Sequence, residues 1–172
     1  MELSVAARLL EPGIDNAIPH QTWADLGAGT GLFTTALSIL IPQVTIYAID
    51  KNATGLNSIH VNKSAEIKKI TTDFVHDDLD IMPCDGILMA NSLHYVEDKV
   101  SCVKKIKKHL KKTGVMIIIE YEREKATSWV PFPVKFFALK QFMLEAGFTS
   151  VTRIGEEPSI FDRSVIYSAR IQ

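Results

Sequence analysis

The stretch Ala24-Asp25-Leu26-Gly27-Ala28-Gly29-Thr30-Gly31-Leu32-Phe33 constrains the fold of this chain more than any other. A short apolar strand runs into alternating glycines and then into a helix. Without Cβ atoms, a backbone of this kind can take φ > 0 and let a ligand lie against its peptide planes. The helix that follows begins at the same place, so its unpaired N–H groups and positive dipole end face the same space. The pattern is a nucleotide-type binding turn. It departs from the dinucleotide fingerprint, whose third glycine would fall on Leu32; Gly31 comes one residue too early.

The rest of the chain supplies alternating strands and helices. Leu3, Ala6, Ala7 and Leu10 stand at helical spacing and predict a short helix over 3–10, stopped by Pro12-Gly13. Leu32, Phe33, Ala36, Leu37, Leu40 and Ile41 form one apolar helical face, ended by Pro42. Val44 to Ile49 is a near-continuous apolar run, as expected of a strand buried on both faces of a parallel sheet. It ends at Asp50, and ligands of open α/β sheets bind outside the carboxyl ends of strands. An acid there can accept from both hydroxyls of a ribose, at the spacing of about twenty residues that this job requires. Its other reading is a cap for the segment after it.

A weaker helix is expected over 53–63, then a third strand through Ile70, Thr72 and Phe74, a fourth over Gly86–Ala90 and a fifth over Val115–Ile119. Residues 99–112 read as an amphipathic helix with Val100, Val103, Ile106 and Leu110 on one stripe, terminated by Gly114 in a left-handed conformation. A loop, Arg123–Pro133, leaves the carboxyl end of the fifth strand, and its Trp129 and Phe132 are candidates for a pocket rim. A helix over 134–146 with Gly147 after it leads to two alternating strands, Val151–Ile154 and Ser164–Ile171. Too few residues separate these for a helical crossover, so they pair antiparallel around a loop with Gly155 and Pro158.

The string Asp25-Leu26-Gly27-Ala28-Gly29-Thr30-Gly31 resembles motif I of the class I S-adenosylmethionine-dependent methyltransferases. The resemblance extends from about residue 20 to the end of the chain, Glu-Ala-Gly-Phe before the terminal hairpin included. It implies an α/β, doubly wound, mostly parallel seven-stranded sheet with a C-terminal antiparallel hairpin, in one domain over 1–172 with a short N-terminal helix. It implies that Asp25, Gly27, Ala28, Gly29 and Gly31 hold the methionine half of S-adenosylmethionine, Asp50 its ribose and Asn91 the methionine end, with Lys51 also among the cofactor-binding residues. Val75-His76-Asp77-Asp78-Leu79 resembles the third cofactor segment, where an acid accepts from the adenine amino group. Asp77 is the first choice by its distance from Asp50, with Asp78 and Asp73 as competitors; such an aspartate cluster also serves as a plain turn.

Asn91-Ser92-Leu93-His94-Tyr95-Val96 resembles the segment between cofactor and acceptor in small-molecule methyltransferases, with Tyr95 at a position those enzymes fill with a second histidine. The Asn/Asp-Pro-Pro-Tyr/Phe string of base-amino methyltransferases is missing. His94, with an ordinary pKa of about 6.5, is the first candidate general base, and Tyr95 or Glu120 come after it. The alternative for His94 is a hydrogen-bonded residue that shapes the loop. His20 ranks lower.

Charge and cysteine content bound the remaining readings. Nineteen basic and twenty acidic residues leave a net charge of −1, so no field favours nucleic acid or an anionic membrane. Lys104, Lys105, Lys107, Lys108, Lys111 and Lys112 read as a solvated helix face. Cys84 and Cys102 lack metal-ligand spacing, no Cys/His/carboxylate grouping argues for a metal, and no signal or spanning segment stands out, which together imply a cytoplasmic chain. The expected partner is a small-molecule methyl acceptor, in an open pocket or one completed by another subunit such as a second copy. Two other readings remain at this point: a non-catalytic S-adenosylmethionine-binding domain or subunit, and an NAD-dependent oxidoreductase.

Overall fold

The computed structural model describes residues 1–15, 17–61, 64–159 and 164–172. Helix α1 (Leu3–Leu10) runs into a 3₁₀ turn at Glu11–Gly13, followed by β1 (Thr22–Leu26), α2 (Leu32–Leu40), β2 (Thr45–Asp50), α3 (Ala53–Asn57) and β3 (Glu66–Thr71). Then come β4 (Cys84–Ala90), a 3₁₀ turn at Leu93–Tyr95, α4 (Lys99–Lys107), β5 (Leu110–Tyr121), α5 (Phe136–Glu145), β6 (Val151–Pro158) and β7 (Val165–Ile171). The seven strands form one sheet in the order β3-β2-β1-β4-β5-β7-β6. The first five pair in parallel, and β7 is antiparallel to both β5 and β6. This is the Rossmann-like methyltransferase architecture expected from the sequence. The chain builds outward from β1 through β2 to β3 and then returns to place β4 on the other side of β1. That reversal opens a crevice at the carboxyl ends of β1 and β4.

Both faces of the sheet are covered, which is why its central strands are apolar throughout. In β5, Met116 and Ile118 pack into one core with α4 and α5, while Ile117 and Ile119 pack into the other with α1 and α2. Gly86 faces Trp23 across the β1–β4 ladder, and a Cβ on it would lie 2.4 Å from the indole ring. The indole fills the place of that missing side chain, and its Nε1 donates to Gln21 Oε1 at 2.9 Å.

Three expected boundaries are corrected. Gly114 does not end α4. The helix stops at Lys107 and Gly114 lies inside β5, where a Cβ would sit 3.0 and 3.1 Å from the carbonyl oxygens of Cys84 and Asp85. The glycine serves a close approach of strands at a register shift, and Lys111 belongs to the strand, paired with Asp85 at 2.8 Å. Gly155 and Pro158 lie within β6 rather than in a loop; Gly155 stands at a register shift against Ser168. The helix after Asp50 is only Ala53–Asn57, capped by the Asn52 side chain and not by Asp50. The last two residues of the expected helix, Asn62 and Lys63, lie outside the described residues, as do 160–163 of the hairpin connection.

Replacement of Gly86 by alanine forces a methyl group into the Trp23 ring. The G86A protein should lose about 1–3 kcal/mol of stability, measured as the shift of the urea unfolding midpoint at unchanged slope.

Candidate active site

The crevice is assembled from the ends of four strands. Past β1, Gly27 takes φ +82°, and a Cβ there would collide with Ser92 Cβ at 2.5 Å. The Gly27 and Ala28 amides donate to the Ile49 carbonyl at 2.8 and 3.0 Å, which fixes the turn against β2. Gly29, at φ +54°, has no atom within 4 Å of where its Cβ would be, so its face opens on empty space. Its N–H donates to Asp50 Oδ2 at 2.8 Å, while Asp50 Oδ1 accepts from the Asn52 amide at 2.8 Å. Gly31 caps α2 without any side-chain bond and packs on Ile59 instead of facing the crevice.

Asp25 is buried below this turn. Its Oδ2 accepts from the Thr34 hydroxyl at 2.6 Å, so it clamps the start of α2 to the end of β1. Burial pushes its carboxyl up from 3.8 to about 6, the Thr34 hydrogen bond opposing and the nearby Asp50 charge adding to the rise.

A cleft of about 290 Å³ lies over the turn, bordered by Gly27, Asp50, Lys51, Asp73, Phe74 and Asn91 among others. Lys51 reaches Asp73 at 3.9 Å across its solvent side. Asp77, the first choice for the adenine-facing acid, does not border the cleft, and neither does Asp78. The Asp77 carboxylate accepts from the Asp73 amide at 3.0 Å and the Thr72 hydroxyl at 2.8 Å. These bonds hold its pKa below the ordinary value, that from the Asp73 amide contributing most. Asp77 thereby closes the turn that presents Asp73, the residue that does border the cleft.

On the other side, Asn91 follows β4 at φ +53°, its amide bonded to the Ile119 carbonyl at 2.8 Å. Its Oδ1 is buried without a hydrogen-bond partner. Asn91 and Tyr95 border both the cleft and a second cavity of about 560 Å³ that continues past His94, Tyr121, Arg123 and Trp129. His94 is 2% exposed and its Nδ1 lies 2.6 Å from Oε2 of the equally buried Glu120. Glu120 Oε1 also accepts from the His94 backbone amide at 3.0 Å. A carboxylate only accepts, so Nδ1–H is the donor of this bond and Nε2 is left on the other side of the ring.

The loop after β5 is tied to this pair. The Phe132 amide donates to the His94 carbonyl at 3.0 Å, and Thr127 and Val130 exchange backbone bonds around a tight turn whose tip holds Trp129. Trp129 rims the second cavity as expected, but Phe132 borders a neighbouring groove beside α4. His20 lies at the amino end of β1, a strand length from the crevice, and takes no part in it. The sequence places Glu120 only after His94 among candidate bases, level with Tyr95, and does not single out Asp73 or Phe74 over their neighbours. It missed Arg123 as a lining residue. An acid at the end of an otherwise apolar strand is the signal that points to Glu120. Among the described residues no group of His, Cys, Asp and Glu could hold a metal ion, and no helix is long and apolar enough to cross a membrane.

The family model described as a methyltransferase domain matches residues 24–116, more than half of the chain. The chain belongs to the class I S-adenosylmethionine-dependent methyltransferases. This sets aside the NAD-dependent alternative. A search of curated protein sequences finds no match. Among solved structures, the S-adenosylmethionine-dependent methyltransferase SibL in its apo form is 16% identical over 96% of this chain and 54% of its own, with a TM-score of 0.70. Human N-acetylserotonin methyltransferase in complex with the cofactor is 19% identical over 97% of this chain and 52% of its own, with a TM-score of 0.69. Magnesium protoporphyrin IX methyltransferase from Synechocystis PCC 6803, with bound cofactor, is 17% identical over 97% of this chain and 76% of its own, with a TM-score of 0.68. The chain spans about half the length of the first two. The likeness at these identities is one of fold.

The crevice of this methyltransferase domain fits a charged nucleoside cofactor. The open face over Gly29 gives it room against the backbone, and the Asp50 carboxylate and the unpartnered Asn91 Oδ1 offer acceptors.

Because the folded-state value of Asp25 is the higher one, the native chain holds a proton between about pH 4 and 6 that the unfolded chain has released. The stability this contributes is complete below about pH 4 and is lost as pH rises through about 6. Asparagine at this position carries no charge at any pH. The advantage of D25N over the wild type, measured by urea unfolding without cofactor, should therefore be larger at pH 7.5 than at pH 4.5 by about 2 kcal/mol.

Proposed function

We propose that the chain transfers a methyl group to a hydroxyl of a small-molecule acceptor, with His94 as general base and Glu120 as the group that orients it. The observation that carries this reading is the buried His94–Glu120 pair, with His94 lining the second cavity and its neighbours Asn91 and Tyr95 bordering both cavities. Bound S-adenosylmethionine supplies an electrophilic methyl group on a sulfonium sulfur that departs as a neutral thioether.

The chain's own residues do the rest. Asp50 would hold the ribose hydroxyls, Asp73 and Phe74 the adenine ring, and the turn from Gly27 to Gly31 with Asn91 the methionine portion. Asp25 positions that turn through Thr34 without bordering the cleft. Tyr95, Tyr121 and Trp129 wall the second cavity against water and hold the acceptor beside His94. Nε2 of His94 takes the hydroxyl proton, and the Glu120 carboxylate offsets the positive charge that the ring then carries. Ordering of two reactants can contribute roughly 7–11 kcal/mol, whereas one general base contributes about 10²- to 10⁴-fold in rate. Positioning is the larger share.

The small-molecule reading is supported by the volume of the second cavity, which lies within the ~300–1,000 Å³ of ordinary ligand sites. The structural neighbours named for N-acetylserotonin and magnesium protoporphyrin IX point the same way.

Isothermal titration with S-adenosylmethionine tests the cofactor half of this reading. Asp50→Ala should weaken binding about 10- to 100-fold, the loss expected of charge-assisted hydrogen bonds, while His94→Gln should leave it unchanged. With an acceptor in hand, His94→Gln should lower kcat by about 10²- to 10⁴-fold. Absence of cofactor binding by a folded protein overturns the reading, and binding without turnover by any acceptor favours a non-catalytic cofactor-binding domain.

A further inference from the structure

Asn91 is held in a backbone conformation that most side chains avoid. It takes φ +53° directly after β4, and its amide donates to the Ile119 carbonyl at 2.8 Å, so the backbone cannot leave this conformation without straining that bond. Glycine suits such a place best and asparagine next. The asparagine here adds a polar side chain, and its Oδ1 is buried with no hydrogen-bond partner among the described residues. An acceptor shut away from water and left unpaired is destabilising, so in a native chain it calls for a ligand or a function.

The position of the residue narrows which ligand group meets it. Among the described residues, the cofactor cleft and the second cavity share two bordering residues, Asn91 and Tyr95, and neither carries a positive charge. With the acceptor in the second cavity, the reading on which this inference rests, the methyl group to be transferred has to stand where the two spaces meet. The adenine, ribose and amino acid portions of the cofactor need only the cleft. A methyl group on a sulfonium sulfur has hydrogens polarised toward positive charge, and an amide oxygen attracts them. After transfer the sulfur is a neutral thioether and offers that oxygen nothing.

We infer that Asn91 Oδ1 is the acceptor for the sulfonium methyl group and makes the chain discriminate between S-adenosylmethionine and its demethylated product, S-adenosylhomocysteine. An oxygen satisfied by the methylated form and orphaned again by the product favours entry of the one and release of the other. Asp50 and the glycine turn lack this selectivity, because the groups assigned to them are the same in both forms.

The test uses the full chain without acceptor and reads binding alone. Isothermal titration gives Kd for S-adenosylmethionine, S-adenosylhomocysteine and sinefungin, an analogue that carries an ammonium on carbon in place of the methylated sulfur. Asn91→Gly removes the oxygen at a φ that glycine tolerates, and Asn91→Asp keeps the shape and adds a charge; a cooperative urea transition shows that each variant is folded. In Asn91→Gly the preference for S-adenosylmethionine over S-adenosylhomocysteine should fall about five- to tenfold from the wild-type ratio, sinefungin should weaken in parallel, and the affinity for S-adenosylhomocysteine should stay within about twofold. In Asn91→Asp the preference should rise by about the same factor. An unchanged ratio in Asn91→Gly overturns the inference, as does a ratio that fails to rise in Asn91→Asp. Equal loss for both cofactor forms also overturns it, being the result if Oδ1 meets the methionine ammonium that they share. Failure of the wild type to bind S-adenosylmethionine overturns the methyltransferase reading instead, and placement of the acceptor is read separately from kcat of His94→Gln.

Discussion

The site depends on how closely the ends of β1 and β4 approach each other. Ser92 Oγ donates to the Leu26 carbonyl at 2.6 Å in the buried interior, and Gly27 has no Cβ to keep Ser92 away. That contact fastens the glycine turn after β1 to the segment after β4. One segment contributes to the cofactor cleft and the other carries Asn91, His94 and Tyr95. The parallel ladder brings the strands side by side, but the carboxyl ends splay wherever side chains meet. A larger residue at position 27 would open the wall that the two cavities share. The geometry of the crevice is therefore a consequence of sheet topology plus one absent side chain.

Much of the fold was legible in the sequence because its central strands are buried on both faces. Ile46 to Ile49 and Met116 to Ile119 are apolar at every position, and only a covered parallel sheet places neighbouring residues into two separate cores. The glycine turn, Asp50 at a strand end and the antiparallel closing pair follow from local chemistry in the same way. Gly114 misled because a glycine after a lysine-rich helix has two uses, a left-handed cap or a close approach to a neighbouring strand. Nothing local distinguishes them; the carbonyl groups of Cys84 and Asp85 decide. The aspartate loop was ambiguous for a related reason. Asp73 and Asp77 have the same side chain, and which one faces the cleft is set by the hydrogen bonds that draw Asp77 back onto Thr72 and Asp73. Glu120 required knowledge of the β4–β5 register, which sets Ala90 beside Ile119 and so brings the segment after β4 to the end of β5.

Two buried carboxylates show how differently one fold can use the same group. Asp25 has a hydroxyl and a backbone amide for company, and burial raises its pKa into the range where it titrates near neutrality. Its tie to Thr34 aligns α2 with the turn at a cost in stability whenever it is charged. Glu120 instead meets the imidazole and the backbone amide of the same residue, His94, one through each oxygen. The first carboxylate fixes a helix and the second fixes a ring.

Burial of a histidine and a glutamate together is poor economy for stability alone, since two desolvated polar groups rarely outperform apolar residues of similar volume. The pair is buried between the end of β5 and the Leu93 turn, and His94 borders the second cavity. A dry site of this kind strengthens the Glu120 bond and keeps the imidazole in one tautomer and one orientation. The loop from Arg123 onward is bonded to the backbone of that same histidine through Phe132, so this wall of the second cavity is fastened to the His94 segment. Widening of the pocket by change in this loop therefore disturbs His94 unless the Phe132 amide keeps its bond to the His94 carbonyl.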